Sequence, residues 1–237
     1  MQTITIIADP FSSLPLPAGE RIIVAPHARN AMWEIAADVD RNSAAQIARQ
    51  LIDPFDARYD ERCASILTDF IKNLIETRGQ EWSWPDIAML AKLKPQEIER
   101  FYEAKFPGSE YFLYSKDVYQ TLPHSLTSVT RLAKLWKPGG ARRLFSFRQH
   151  FRARSEVPVI LRGAPSEWIK AAGVACALAI REAKGVAPLQ INLAFDEMPA
   201  LYRVPELQTL QLTARALGVR FGGISGPGEF VEDRRAA

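Results

Sequence analysis

The last third of the chain alternates strand and helix in a pattern that few folds accommodate. Val157 to Leu161 is a strand, Pro165 to Lys184 a small-residue helix closed by Gly185, and Gln190 to Phe195 a second apolar strand. Pro205 then stands in the first turn of a helix whose Leu207, Leu210, Ala214 and Leu217 share one face, and Gly218 follows as a left-handed cap. Val219 to Ile224 is the next strand. Strands joined by helices of this length run parallel and are linked by right-handed crossovers, so the spacing predicts an α/β sheet. Thr3 to Ala8 and Arg21 to Ala25, ending at Asp9-Pro10 and at Pro26, read as two more buried strands.

Between these groups the period changes to that of helices. Ser43 and Gln46 form a capping-box signature opening a helix towards Leu51. The clearest helix runs from about Asp56 to Thr77, with Tyr59, Cys63, Ile66, Leu67, Phe70, Ile71, Leu74 and Ile75 at helical spacing and Gly79 beyond its end. Ser83 and Asp86 start another, Pro95 opens one through Phe101, and a last helix covers about Ser125 to Trp136 before Pro138-Gly139-Gly140. The predicted organisation is an N-terminal part of an α/β core over residues 1–42, an all-α insertion over 43–140, and the rest of the core over 141–237.

A hydrophobic fraction of 47% and a charged fraction of 24% suit a folded protein and exclude a disordered chain. The net charge of +3 permits a nucleic-acid partner without requiring one. The two cysteines, Cys63 and Cys176, lie inside apolar helical patterns and read as buried free thiols in a reducing compartment. Neither they nor the three histidines have zinc-ligand spacing. The longest small-apolar stretch, Ala171 to Ile180, is too short to span a bilayer, so the expected location is cytoplasmic.

The chemistry-bearing feature is Ile191-Asn192-Leu193-Ala194-Phe195-Asp196-Glu197, an apolar run cut off by two adjacent acids. In P-loop nucleotidases such a strand carries its acids to the C-terminal edge of the sheet, where the first helps hold magnesium and the second polarises water. The segment therefore reads as a Walker B strand. Its complement, a phosphate-cradling loop G-x-x-x-x-G-K-[ST], is not in the sequence, which contains no Gly-Lys dipeptide. An unrelated α/β enzyme using Asp9 or Asp196 at a sheet edge lacks a nucleophile, base and orienting group at a recognisable spacing.

From Asp196 onward the order D-E-x-P-A-L-x-R-V-P-x-L, followed by a helix carrying Arg215 and then Gly218-Val219, resembles the Walker B region of the TraD/TraG-like coupling-protein ATPases of conjugation and type IV secretion. Ile22-Ile23-Val24-Ala25-Pro26, Arg29 and Trp33-Glu34-Ile35 resemble the segment after that family's second core strand. The helical run from Ser43 to Trp136 lies where the family inserts its all-α domain, and Phe145-Ser146-Phe147-Arg148 fits the return to the core. The resemblance implies a partial RecA-like P-loop NTPase sheet with an inserted all-α domain. It also implies a DNA-translocating ATPase that uses ATP and Mg2+, in which Asp196 orients the metal and Glu197 activates the attacking water. Single-stranded DNA and the relaxase complex would be its partners, in a homo-oligomer whose intact members are anchored at the inner membrane.

Departures from the family pattern shape the expectation. The chain begins about where the strand after the P-loop helix should lie, which implies truncation before the membrane anchor and P-loop. Gly222-Gly223-Ile224-Ser225-Gly226-Pro227-Gly228 offers no nucleotide-sensing glutamine, and the oligomer-facing arginines that would lie further on are missing. Without the P-loop amides and lysine, Asp196 and Glu197 alone would hold Mg-ATP poorly, so the isolated chain is predicted inactive. Loss of the P-loop strand would also leave an open apolar edge, favouring self-association or a partner that supplies it. The alternative is a non-catalytic binding protein that engages an intact coupling ATPase or the DNA-processing complex. Arg142, Arg143, Arg148, Arg152 and Arg154 alternate with Phe145, Phe147 and Phe151, a mixture used in single-strand stacking sites. The competing reading makes the phenylalanines the buried side of a short helix and the arginines its solvated side.

Overall fold

The computed structural model describes residues 2–14, 19–26, 30–105, 116–136, 143–163, 167–183, 190–195, 199–225 and 229–232. The chain divides into a core unit, Met1–Val39 with Gly139–Ala237, and a helical unit, Asp40–Pro138.

In the core unit, six strands make one sheet. They are β1 (Thr3–Ala8), β2 (Ile22–Val24), β5 (Val159–Leu161), β6 (Gln190–Ala194), β7 (Val219–Ser225) and β8 (Glu229–Glu232). Their order is β2-β5-β1-β6-β7-β8, and every pairing is parallel except β7 with β8. A separate parallel pair joins β3 (Met32–Trp33) to β4 (Leu144–Phe145). Helices α8 (Phe147–Arg152), α9 (Glu167–Ala183) and α10 (Pro205–Leu217) complete the core with the short α1 (Ile35–Asp38).

The crossovers β5-α9-β6 and β6-α10-β7 step across the sheet in the same direction, so their right-handedness places α9 and α10 on one face. That face buries Ile4, Ile6, Val159, Leu161, Ile191, Leu193 and Phe221. The opposite face gathers Ile7, Ile160 and Ala194, with Leu14, Ile23 and Phe230 packed against them. Helix α9 is buried on nearly every side because its residues are small. A Cβ on Gly173 would lie only 3.1 Å from Leu201 Cδ2 and 3.2 Å from Leu207 Cδ1, so glycine sets that approach. Gly218 ends α10 at φ 68°, ψ 23°, the predicted left-handed cap.

Strand β8 was not foreseen, and it corrects the expected open edge. It pairs antiparallel with β7, from Gly222 opposite Glu232 to Ser225 opposite Glu229, so β7 is interior and the edge strand carries acids at both ends. On the other side β2 is shielded by residue 31, whose N–H donates to the Ile23 carbonyl and whose carbonyl accepts from Ala25. Charged flanks and covered edges discourage edge-to-edge pairing.

The helical unit comprises α2 (Ala44–Leu51), α3 (Asp60–Arg78), α4 (Trp84–Ala88), α5 (Pro95–Lys105), α6 (Lys116–Ser125) and α7 (Thr127–Leu135). Helix α6 escaped the sequence reading because Pro123 sits inside it and masks its apolar Val118, Tyr119 and Leu122. The capping box predicted at Ser43 does not form. Ser43 Oγ instead accepts from Asp40 N at 2.8 Å, closing a turn before α2. At Ser83 the box is complete, with Ser83 N donating to Asp86 Oδ2 at 2.8 Å. Trp84 and Trp136 pack with ring centroids 5.1 Å apart, so the tryptophans serve the core of this unit. Among the described residues no helix is long and apolar enough to cross a membrane.

Candidate functional site

The C-terminal ends of parallel strands are where α/β sheets place their chemistry. Here Asp9 directly follows β1, Arg162 follows β5, and Phe195 follows β6; Phe195 is buried and leads directly into Asp196-Glu197 in the sequence. Asp196 and Glu197 lie outside the described residues, as does Arg142.

Asp9 is fully buried, yet every part of its carboxylate is engaged. Oδ2 accepts Arg162 Nε at 2.8 Å and Nη2 at 2.5 Å, while Oδ1 accepts the Ser13 N–H at 2.8 Å and, at 3.4 Å, the Ser13 hydroxyl and the Leu14 N–H. The Asp9 N–H donates to the Leu161 carbonyl, and Gly163, at φ 91°, donates to the Pro10 carbonyl. The pair therefore ties the turns after β1 and β5 together. A carboxylate this saturated has no lone pair left for a metal or a water, so the reading in which Asp9 is a catalytic acid finds no support in its surroundings. Arg162 was missed in the sequence, although an arginine directly after a buried strand and a buried Asp9 on the neighbouring strand together form a charge-pairing signal.

The basic and aromatic segment resolves into a buried and an exposed side. Phe145, Phe147 and Phe151 are buried, with Phe147 edge-on to both Trp33 and Phe145, so their rings pack the core. Arg148 is half-buried and grips Glu182 through Nη2 at 2.6 Å and Nε at 2.9 Å. Arg143 and Arg152 are exposed, and Arg154 is half-buried at φ 51°. This segment thus offers cations but no ring free for a base to stack on.

His150 is buried among the same rings, 5.5 Å from Phe145 between centroids, and its Nε2 has no hydrogen-bond partner among the described residues. Burial, with the charge of Arg143 adding, pushes its pKa down to about 4. An unfolded chain takes up this proton near pH 6.5, whereas the folded chain resists it until about pH 4. Stability is therefore expected to fall as the pH drops through that window, by up to about 3 kcal/mol. Urea midpoints of the wild type and His150→Leu, compared from pH 7 to 4, check this. The difference between the two proteins should carry the slope, and parallel curves would assign it to another group.

Asp38, at the end of α1, is a second site that sequence reasoning did not single out. It is buried and accepts four hydrogen bonds: Trp33 Nε1 at 2.8 Å and Phe147 N at 2.9 Å on Oδ2, and Ser146 Oγ at 2.7 Å and Arg148 N at 2.9 Å on Oδ1. Burial pushes its carboxyl above the ordinary carboxylate range, and the four donors pull against that shift. The signal in the sequence is an acid inside the apolar run Ile35 to Val39, which demands a buried partner.

Described residues hold no group of three or more His, Cys, Asp or Glu side chains arranged for a metal.

A mostly parallel sheet, helices crossing it right-handedly, an all-helical insertion between β3 and β4, and an apolar strand running into paired acids define a RecA-like core of the coupling-protein class. The chain belongs to the family of the type IV secretion-system coupling protein DNA-binding domain, whose model matches residues 9–224. Among solved structures it is similar to the bacterial conjugative coupling protein TrwBdeltaN70 in complex with sulphate, at 15% identity and a TM-score of 0.70, over 93% of this chain and 56% of that one. The plasmid coupling protein TrwB in complex with the ATP analogue ADPNP matches at 16% identity and TM-score 0.71, over 93% and 56%. TrwB in complex with ADP and Mg2+ matches at 15% identity and TM-score 0.71, over 92% and 55%. The chain thus spans little more than half the length of these structures. No curated protein matches it.

Proposed function

We propose that this chain carries part of the DNA-handling motor of a type IV secretion coupling protein, which moves single-stranded DNA from a relaxase complex towards the secretion channel. The observation that carries the reading is the family match over residues 9–224, on a sheet whose β6 runs through buried Phe195 into Asp196-Glu197. On this reading Asp196 orients magnesium and Glu197 activates water in the complete motor, acting on the cytoplasmic side of the inner membrane. The solved TrwB complexes with ADPNP and with ADP and Mg2+ support those ligands for the family.

The residues described do not themselves fit Mg-ATP. The sequence has no phosphate-cradling loop, and the buried carboxylate at the end of β1 is consumed by Arg162 and Ser13. Backbone amides and a lysine normally supply most of the charge stabilisation around the phosphates. The chain alone is therefore expected to be inactive and to need a partner, either further copies or a protein that supplies the phosphate site. The same observation favours the second reading, a non-catalytic protein that binds an intact coupling ATPase or the DNA-processing complex.

Titration with a fluorescent ATP analogue and magnesium, beside Asp196→Ala and Glu197→Gln, tests the nucleotide part. No saturable binding is expected; binding that the variants lose would reveal a phosphate site without a P-loop and overturn this account of the gap. Anisotropy of a labelled single-stranded oligonucleotide tests the DNA part. Salt-sensitive binding, weakened by Arg143→Ala with Arg152→Ala, supports DNA handling. No binding at low salt leaves the protein-binding reading.

A further inference from the structure

Every covalent path between the helical unit and the sheet runs through two connections, the outgoing one comprising β3 and α1 and the returning one comprising β4 and the start of α8. Within the core unit these connections are brought side by side. Met32 pairs with Leu144 and Trp33 with Phe145, the Met32 N–H donates to the Arg143 carbonyl, and the Glu34 N–H donates to the Phe145 carbonyl. Two residues per strand make a very weak sheet when nothing else supports them.

Asp38 supplies the support. Its two oxygens take one donor from the outgoing connection, Trp33 Nε1, and three from the returning one, the Ser146 hydroxyl and the Phe147 and Arg148 N–H groups. The Arg148 guanidinium is turned to Glu182, so backbone and side-chain dipoles, with no paired cation among these contacts, hold the carboxylate. Such an arrangement works only in one geometry, since shifting either connection strands a buried charge or a buried donor.

We propose that Asp38 is a positioning residue that latches the two connections into one closed stem at the root of the helical unit. Opening it frees β4 and the start of α8 from β3 and α1 while the six-stranded sheet stays intact. This inference is independent of the functional reading above, because it rests on hydrogen bonds inside the core unit alone.

Asp38→Asn keeps the shape but turns one acceptor oxygen into an amide that two of the four donors must face. Hydrogen exchange on the full chain is expected to show residues 144–149 exchanging about tenfold faster in this variant. Segments 4–8, 159–161 and 191–194, and helix α3, should stay within about twofold of the wild type. Ser146→Ala removes one donor to Asp38 together with the cap that accepts from Gln149 N at 3.2 Å. A rise of about threefold that reaches 144–145, ahead of that cap, is expected and keeps the test decisive if Asp38→Asn does not fold. A rise confined to 147–149 would be the lost cap alone and count against the latch. Unchanged exchange at 144–149, or an equal rise in every core segment, would overturn the latch and leave Asp38 as a general stability residue.

Discussion

Asp9→Ala is expected to destabilise the core unit by about 3 kcal/mol, because it leaves the half-buried guanidinium of Arg162 without its partner. The loss exceeds what the pair contributes. Taking a charge out of water carries a large penalty, and Asp9 offsets it through two contacts from Arg162, while Ser13 satisfies the other oxygen. Arg162→Met in the same chain removes the stranded charge, so the double variant is expected to recover much of the loss. Chemical unfolding followed through Trp33 and Trp168, which lie in the core unit, separates this effect from the helical unit with its Trp82, Trp84 and Trp136. A single variant that loses under about 1 kcal/mol would mean that water reaches Arg162.

Gly222→Ala is expected to detach β8. The added methyl would sit on the Val231 carbonyl oxygen and 2.8 Å from Phe230 Cζ, so backbone and not a flexible side chain would have to move. Overpacking of this kind typically destabilises by about 1 to 3 kcal/mol. Here the strain is relieved most easily by releasing the last described strand, which turns β7 into an exposed edge. Hydrogen exchange at 229–232 should lose protection together with the β7 amides facing it, and sedimentation should show association that grows with concentration. Retained protection at 229–232 would show that the two strands do not approach as closely as Gly222 permits.

Much of the core was legible because its signals are local. Thr3–Ala8 is bounded by Asp9-Pro10, Pro205 and Gly218 bracket α10, and the apolar run before Asp196 allows little but a buried strand. The residues that set the site's surroundings were not legible, because each acts across a long stretch of chain. Asp9 meets Arg162, and Asp38 meets Ser146, Phe147 and Arg148. An acid in an apolar run announces that it needs a partner but does not say which one. Strand β8 was hidden for a different reason: Glu229-Phe230-Val231-Glu232 is too short and too charged to show a period, and only the glycine opposite it hints at a close neighbour. The Ser43 box failed because Asp40 offered that serine a nearer partner.

The strand order carries a consequence for how the protein is made. Strand β1 is synthesised well before either of its neighbours, yet it sits in the interior of the sheet, where Ile6 pairs with Val159 and Thr3 with Gln190. Neither partner exists until the whole helical unit has been synthesised, and that unit has its own core to close around in the meantime. The segment Thr3-Ile4-Thr5-Ile6-Ile7-Ala8 must therefore wait, apolar, β-prone and uncharged, in a nascent chain already heavy with folded helix. The productive yield of this protein depends on what shelters those six residues during translation.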